Sequence, residues 1–82
     1  MDALDGNAIA GALFDLFGRE MTVEAGTCLH CGASAQIALL RVFAKAPGTV
    51  ARCPSCGNVV MVIVDVRDDT RLDMRWFELR GG

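Results

Sequence analysis

Cys28-Leu29-His30-Cys31-Gly32 and Cys53-Pro54-Ser55-Cys56-Gly57 are two copies of one pattern, Cys-x-x-Cys-Gly, with 21 residues between Cys31 and Cys53. Two residues between cysteines let a tight turn aim both sulfurs at one point. The trailing glycine relieves the backbone where amide N–H groups fold back toward sulfur, and Pro54 stiffens the second turn. Two such turns at the ends of hairpins bring four thiolates into a tetrahedron around a soft to borderline metal. The expected ligands are Cys28, Cys31, Cys53 and Cys56, holding one Zn2+ per chain, with iron the lesser alternative. Four free thiols or two disulfides compete with this reading. Two matched motifs with identical trailing glycines weigh against chance, and a reducing compartment weighs against disulfides.

The rest of the chain has to supply a domain around these turns. Its 82 residues, 52% hydrophobic, are arithmetic for one domain spanning 1–82, with a helix over 5–18 and a β domain over 21–79. A domain of this size buries only about 60% of its unfolded surface, so a metal or disulfide staple is expected. The net charge of −2 offers no basic excess for nucleic acid, and four thiolates around a divalent ion would make it more negative still. Asp2 and Asp5 stand where a secretory signal would carry basic residues, and Val59 to Val64 falls far short of the ~20 apolar residues of a membrane span. The reading is a cytoplasmic protein without membrane contact.

Between Asp5 and Phe17 the apolar residues Ile9, Ala12, Leu13, Leu16 and Phe17 recur at helical spacing. Asp5 or Asn7 can cap the start, and Gly18 stands where a left-handed residue would end the helix. Met21 to Thr27, Gln36 to Phe43, Thr49 to Arg52, Asn58 to Val66 and Arg71 to Leu79 read as strands. Turns are expected at Ala46-Pro47-Gly48 and Arg67-Asp68-Asp69-Thr70, and Arg80-Gly81-Gly82 reads as a frayed tail. The fold class is a small metal-bound, mostly-β domain of antiparallel strands with an N-terminal amphipathic helix.

From Thr27 to about Val66 this arrangement resembles a zinc ribbon, with the two knuckles as the specific part. That resemblance implies bound zinc and a docking or nucleic-acid module. The Met-Asp-Ala-Leu-Asp-Gly-Asn start, helix, ribbon and Ala-Pro-Gly-Thr-Val hairpin together resemble a family of small uncharacterised bacterial proteins of domain-of-unknown-function type, which implies no activity. The second knuckle is also similar to that of rubredoxin, an iron protein, but Ala33 follows Gly32 where rubredoxins place an aromatic residue, and the chain has no Tyr. Ribbon-based transcript-cleavage factors carry adjacent acids at the hairpin tip. Here the tip is Lys45-Ala46-Pro47-Gly48, without the carboxylates that such catalysis needs.

Other polar and apolar residues have simpler explanations than chemistry. His30, the only histidine, reads as an exposed or packing residue near the metal rather than a base. Arg41, Lys45 and Arg52 flank the hairpin and could form a small basic tip, but a solvated hairpin end is the favoured reading, since three charges give little phosphate affinity. Met21, Met61 and Met74 read as packing, and Asp65, Asp68, Asp69 and Asp73 as cross-strand partners of Arg67, Arg71 and Arg75. One His and saturated cysteines assemble no nucleophile, base and oxyanion set. The expected role is therefore a non-catalytic accessory or protein-interaction module, with no small-molecule substrate. A rubredoxin-like electron carrier, a nucleic-acid-binding ribbon and a thiol redox switch are the alternatives. Six apolar residues from Val59 to Val64 put side chains on both faces of a sheet that one short helix cannot cover on both sides. A homodimer or a larger protein partner is expected to meet the second face, with Phe14, Trp76 or Phe77 as anchors.

Overall fold

The computed structural model describes residues 4–45 and 48–80. The expected Ala46-Pro47 turn, the first three residues and the final Gly81-Gly82 lie outside the described residues.

Asp5 opens the helical region by accepting a hydrogen bond from the Asn7 amide at 3.1 Å. Gly6–Ile9 winds as a 3-10 turn and passes into α1, Ala10–Phe17. Gly18, with φ 72°, ends the helix in the left-handed conformation, its N–H reaching the Phe14 carbonyl. Ile9 and Leu13 are buried and Ala12 packs at the core margin, whereas Leu16, Phe17 and Phe14 stay exposed. Only the first half of the apolar stripe is used. Gly6 fixes where the helical segment lands, because a Cβ there would collide with the backbone carbonyl of Ile37.

Seven strands follow among the described residues, in two antiparallel sheets. They are β1 Ala25–Cys28, β2 Ser34–Gln36, β3 Arg41–Lys45, β4 Gly48–Arg52, β5 Val59–Val66, β6 Asp69–Asp73 and β7 Phe77–Leu79. The small sheet runs β2-β1-β7 and the large one β3-β4-β5-β6. The expected class, mostly β with antiparallel strands and one N-terminal helix, is the observed one. One core joins the elements: Ile9 and Leu13 from the helical segment, Val42, Ala51, Met61 and Ile63 from the large sheet, and Phe77 from the small one.

Three expected strands are corrected. Met21 to Thr27 is a strand only from Ala25, since Met21 leaves the sheet to fill the core at 1% exposure. Gln36 to Phe43 is not continuous, because Ile37–Leu39 is a 3-10 turn that carries the chain from one sheet to the other. Ile37 and Leu40 are both buried and Leu39 is exposed, a three-residue spacing that an alternating strand cannot satisfy. Arg71 to Leu79 likewise breaks after Asp73. There the Asp73 carboxylate accepts from the Arg75 amide, and the Phe77 amide reaches the Met74 carbonyl. Trp76 lies in this turn, and Phe77 enters the small sheet buried at 3% exposure. Phe77 is therefore core and not a surface anchor.

Strand β5 departs from simple alternation through a bulge. Ala51 faces Met61 and Arg52 faces Val59, so Val60 is the extra residue. Val60 and Met61 are consequently both buried, where strict alternation would send these neighbours to opposite faces. Beyond the bulge, Ile63 points to the core while Val62 and Val64 remain half-buried on the outer face, in register with Val50 and Gly48.

The charged residues also settle differently. Arg71 pairs with Asp69 at 3.6 Å and Arg75 with Asp73 at 3.1 Å, each two positions away along the chain rather than across strands. Thr70 supplies the cross-strand contact, donating to Asp65 at 2.9 Å. No three-residue basic tip forms, because Arg41 and Arg52 are register partners at the end of the hairpin remote from its turn.

At the β5–β6 turn, Arg67 has φ 57°, the only positive φ at a non-glycine among the described residues. A side chain there is strained by about 1–2 kcal/mol, and glycine removes the strain while widening the unfolded ensemble. Arg67→Gly is expected to stabilise the chain by at most about 1 kcal/mol, seen as a small rise in Tm. A fall in Tm would show that the arginine side chain holds the turn.

Candidate metal centre

Each knuckle connects two strands of an antiparallel pair: the first joins β1 to β2, the second β4 to β5. Their backbones match bond for bond. The Cys28 amide donates to Ala33 O and the Gly32 amide to Cys28 O, both at 2.8 Å. In the second knuckle the Cys53 amide donates to Asn58 O and the Gly57 amide to Cys53 O, both at 2.9 Å. Gly32 and Gly57 have φ 79° and 78°, a left-handed turn that glycine takes without a Cβ penalty. The repeated trailing glycine in the sequence has this conformation as its physical cause.

The four sulfurs converge, all lying within 4.8 Å of one another. Cys28 Sγ and Cys56 Sγ are 3.8 Å apart, as are Cys31 Sγ and Cys53 Sγ. Four thiolates about 2.3 Å from a tetrahedral metal stand about 3.8 Å apart along each edge, so the cluster has the size a metal needs. Cys28 and Cys53 are buried while Cys31 and Cys56 are exposed, leaving one side of the cluster at the surface.

Amide donors point at the sulfurs. The Ser55 N–H lies 3.3 Å from Cys53 Sγ, and Asn58 Nδ2 lies 3.5 Å from Cys56 Sγ. In the chain without metal, the Asn58 backbone amide is the main cause holding the Cys56 thiol down at about 6, opposed by desolvation and helped by the neighbouring Cys31 and Cys28 sulfurs. The Ala33 amide pulls Cys31 in the same direction, but desolvation and the sulfurs of Cys28, Cys56 and Cys53 outweigh it and push Cys31 up to about 12. Sulfurs this close cannot all ionise without a cation among them.

Around the knuckles lie residues whose roles the sequence did not reveal. Trp76 clasps the first knuckle twice: its carbonyl accepts from the Leu29 amide at 2.9 Å, and its ring stacks on His30 with centroids 5.8 Å apart. The Arg75 guanidinium covers the Trp76 ring at 5.2 Å. His30 also reaches the Val59 carbonyl through Nε2 at 3.1 Å, spanning from the first knuckle to the strand that leaves the second. It is a strut between the halves of the site and not a ligand. Arg52 braces the other half, donating to Gly57 O at 2.8 Å while its guanidinium lies 5.8 Å from the Phe43 ring centre. Nothing in the spacing of the sequence links Trp76 to Leu29, because the contact depends on the break after Asp73.

Fold and site together define a small, mostly-β protein with two antiparallel sheets and a four-cysteine cluster able to hold a metal. The chain belongs to a family of unknown function, DUF6510, whose model matches residues 1–80. The matching model is not that of a zinc ribbon, so the likeness to ribbons rests on the knuckles alone. No curated protein and no solved structure matches the chain. Among the described residues, no helix is long and apolar enough to cross a membrane.

Proposed function

We propose that the protein is a zinc-stapled, non-catalytic accessory module of the cytoplasm that docks on another protein chain. The observation that carries the metal is the sulfur spacing, 3.8 Å between paired cysteines of opposite knuckles, which is a tetrahedral edge. The two knuckles sit in different sheets, so a metal shared between them staples the small sheet to the large one, as a core this small requires. Elemental analysis of the purified chain is expected to find one zinc per chain. Absence of metal, with four freely reactive thiols, would overturn the reading.

Docking is supported by what the fold leaves uncovered. Ile9 and Leu13 of the helical segment join the core on the inner face of the large sheet, while Val50, Val62 and Val64 stay half-buried on the other, and Phe14 and Phe17 are exposed on α1. The partner is a second copy or a larger protein. Light scattering of the isolated chain together with recovery of partners from native extract tests this: a stable monomer at high concentration with no partner recovered removes the support.

A second reading, a rubredoxin-like iron electron carrier, is favoured by the amide donors aimed at sulfur and by the exposure of Cys31 and Cys56. Purified protein that is red, with thiolate-to-iron absorption in the visible, selects it over zinc. Duplex DNA or RNA binding has less support. The formal charge is −2, and Arg41 and Arg52 stand apart from the hairpin turn.

A further inference from the structure

Cysteine exposure and cysteine pairing cut across each other in the cluster. The two hydrogen-bonded sulfur pairs, Cys28 with Cys56 and Cys31 with Cys53, each join opposite knuckles. Each pair also contains one buried and one exposed cysteine. An oxidant arriving from solvent meets Cys31 and Cys56 first, and the sulfur hydrogen-bonded to each is a buried cysteine from the other turn. The sulfur separations are all alike, as the edges of a tetrahedron are, so the hydrogen-bond directions and not the distances single out these two pairs. Closing either one to the disulfide separation of about 2.05 Å moves each sulfur under about 1 Å.

We infer that the cluster is a site of oxidative modification by peroxides, which convert it to two disulfides, Cys28–Cys56 and Cys31–Cys53, and expel the metal. The inference rests on the reading of the four cysteines as one metal centre. In the first step the exposed thiolate attacks one peroxide oxygen, the O–O bond breaks, and a sulfenic acid and hydroxide form. In the second the buried thiolate of the pair attacks the sulfenic sulfur, forming the S–S bond and releasing a second hydroxide. Four protons from solvent neutralise the hydroxides of the two pairs. Two hydrogen peroxides and one four-thiolate divalent centre thus become two disulfides, four waters and one free ion. The sulfurs are oxidised and the peroxide is reduced, while the metal keeps its charge.

The pairing has a structural consequence. Disulfides within a knuckle would leave the two sheets without a covalent link, but these two join the β1–β2 turn to the β4–β5 turn. They replace the metal as the staple between the same elements, so the oxidised protein stays folded. Burial of Cys28 and Cys53 keeps them from direct oxidation until the exposed partner presents a sulfenic sulfur.

The test uses the full metal-loaded chain and hydrogen peroxide. Released metal is read with a chromogenic chelator, and sulfur pairing by mass spectrometry of a non-reduced tryptic digest. Cleavage after Arg19, Arg41, Arg52 and Arg67 separates the cysteines into peptides 20–41 and 53–67. The expected result is full release at two peroxides per metal, the two peptides cross-linked, fragmentation assigning Cys28 to Cys56, and a cooperative melting transition retained. Unlinked peptides with internal disulfides, sulfinic acid at Cys31 and Cys56, the alternative crossed pairing, or loss of the transition would each overturn it. Metal content measured before oxidation tests the metal reading separately, and the disulfide map reads the inference on the thiols themselves.

Discussion

Replacing Cys53 with Ser is expected to abolish the cooperative unfolding transition, and replacing the exposed Cys56 with Ser to do the same. Structural zinc contributes on the order of 10 to 16 kcal/mol in finger peptides, whereas a core of this size rarely supplies more than about 3–5 kcal/mol. A chain whose staple is lost therefore has too little left to unfold as one cooperative unit. The comparison of the two variants isolates the cause. Cys53 is 3% exposed and Cys56 is a surface residue, so a role limited to packing makes Cys53→Ser costly and leaves Cys56→Ser nearly silent. A role in metal binding makes them equivalent, because a hydroxyl replaces a thiolate in the same tetrahedron. Ser55→Ala, between the two, keeps the transition, since the exposed hydroxyl is no ligand and the Ser55 amide that faces Cys53 Sγ is retained. Circular dichroism melts of the three variants, with metal content, check this. An unchanged melting curve for Cys53→Ser would falsify the staple.

The centre was legible because its cause is local. Cys-x-x-Cys-Gly encodes a turn, the glycine encodes its left-handed end, and a repeat of the turn encodes a second pair of sulfurs. The helix was legible for the same reason: Asp5 and Gly18 act within a few residues of themselves. What escaped was decided over longer distances. Ile37 to Leu40 is an unbroken apolar run that suits a strand covered on both faces, yet Gly6 packs against the Ile37 carbonyl and the chain turns there to change sheets. Val60 points inward because Ala51 and Arg52, on another strand, take up the register of a bulge. The break after Asp73 did carry a local signal, an aspartate two residues before an amide that needs an acceptor, which the neighbouring apolar residues Leu72 and Met74 obscured. The functional residues around the centre, Trp76 and Arg52, follow from these breaks and registers. Trp76 becomes visible only once the chain is known to turn after Asp73, and Arg52 only once the register of β3 and β4 sets it near Phe43.

Acid is expected to strip the metal, and the dependence is expected to steepen as pH falls through about 6, the value at which Cys56 titrates in the metal-free chain. The metal takes thiolates, so every sulfur still protonated in the free chain gives up a proton on binding, and each such proton changes affinity tenfold per pH unit. Cys31, held up at about 12, carries its proton throughout the accessible range and contributes that slope at every pH. Cys56 is already ionised above about 6 and adds nothing there; below it the thiol is protonated and a second tenfold per unit appears. The sign follows from these two states. Affinity is greatest at high pH and is lost as protons compete for sulfur, and because the bound metal holds the fold, stability is lost in the same direction. From pH 7 to pH 5 these two thiols alone account for roughly a thousandfold loss, on the linkage of one decade per proton and pH unit. Competition against a chelator of known proton affinity at pH 7, 6 and 5 measures the slope. A constant slope across pH 6 means that the Asn58 amide does not hold Cys56 ionised, and equal retention at all three values means that the metal is not bound through thiolates.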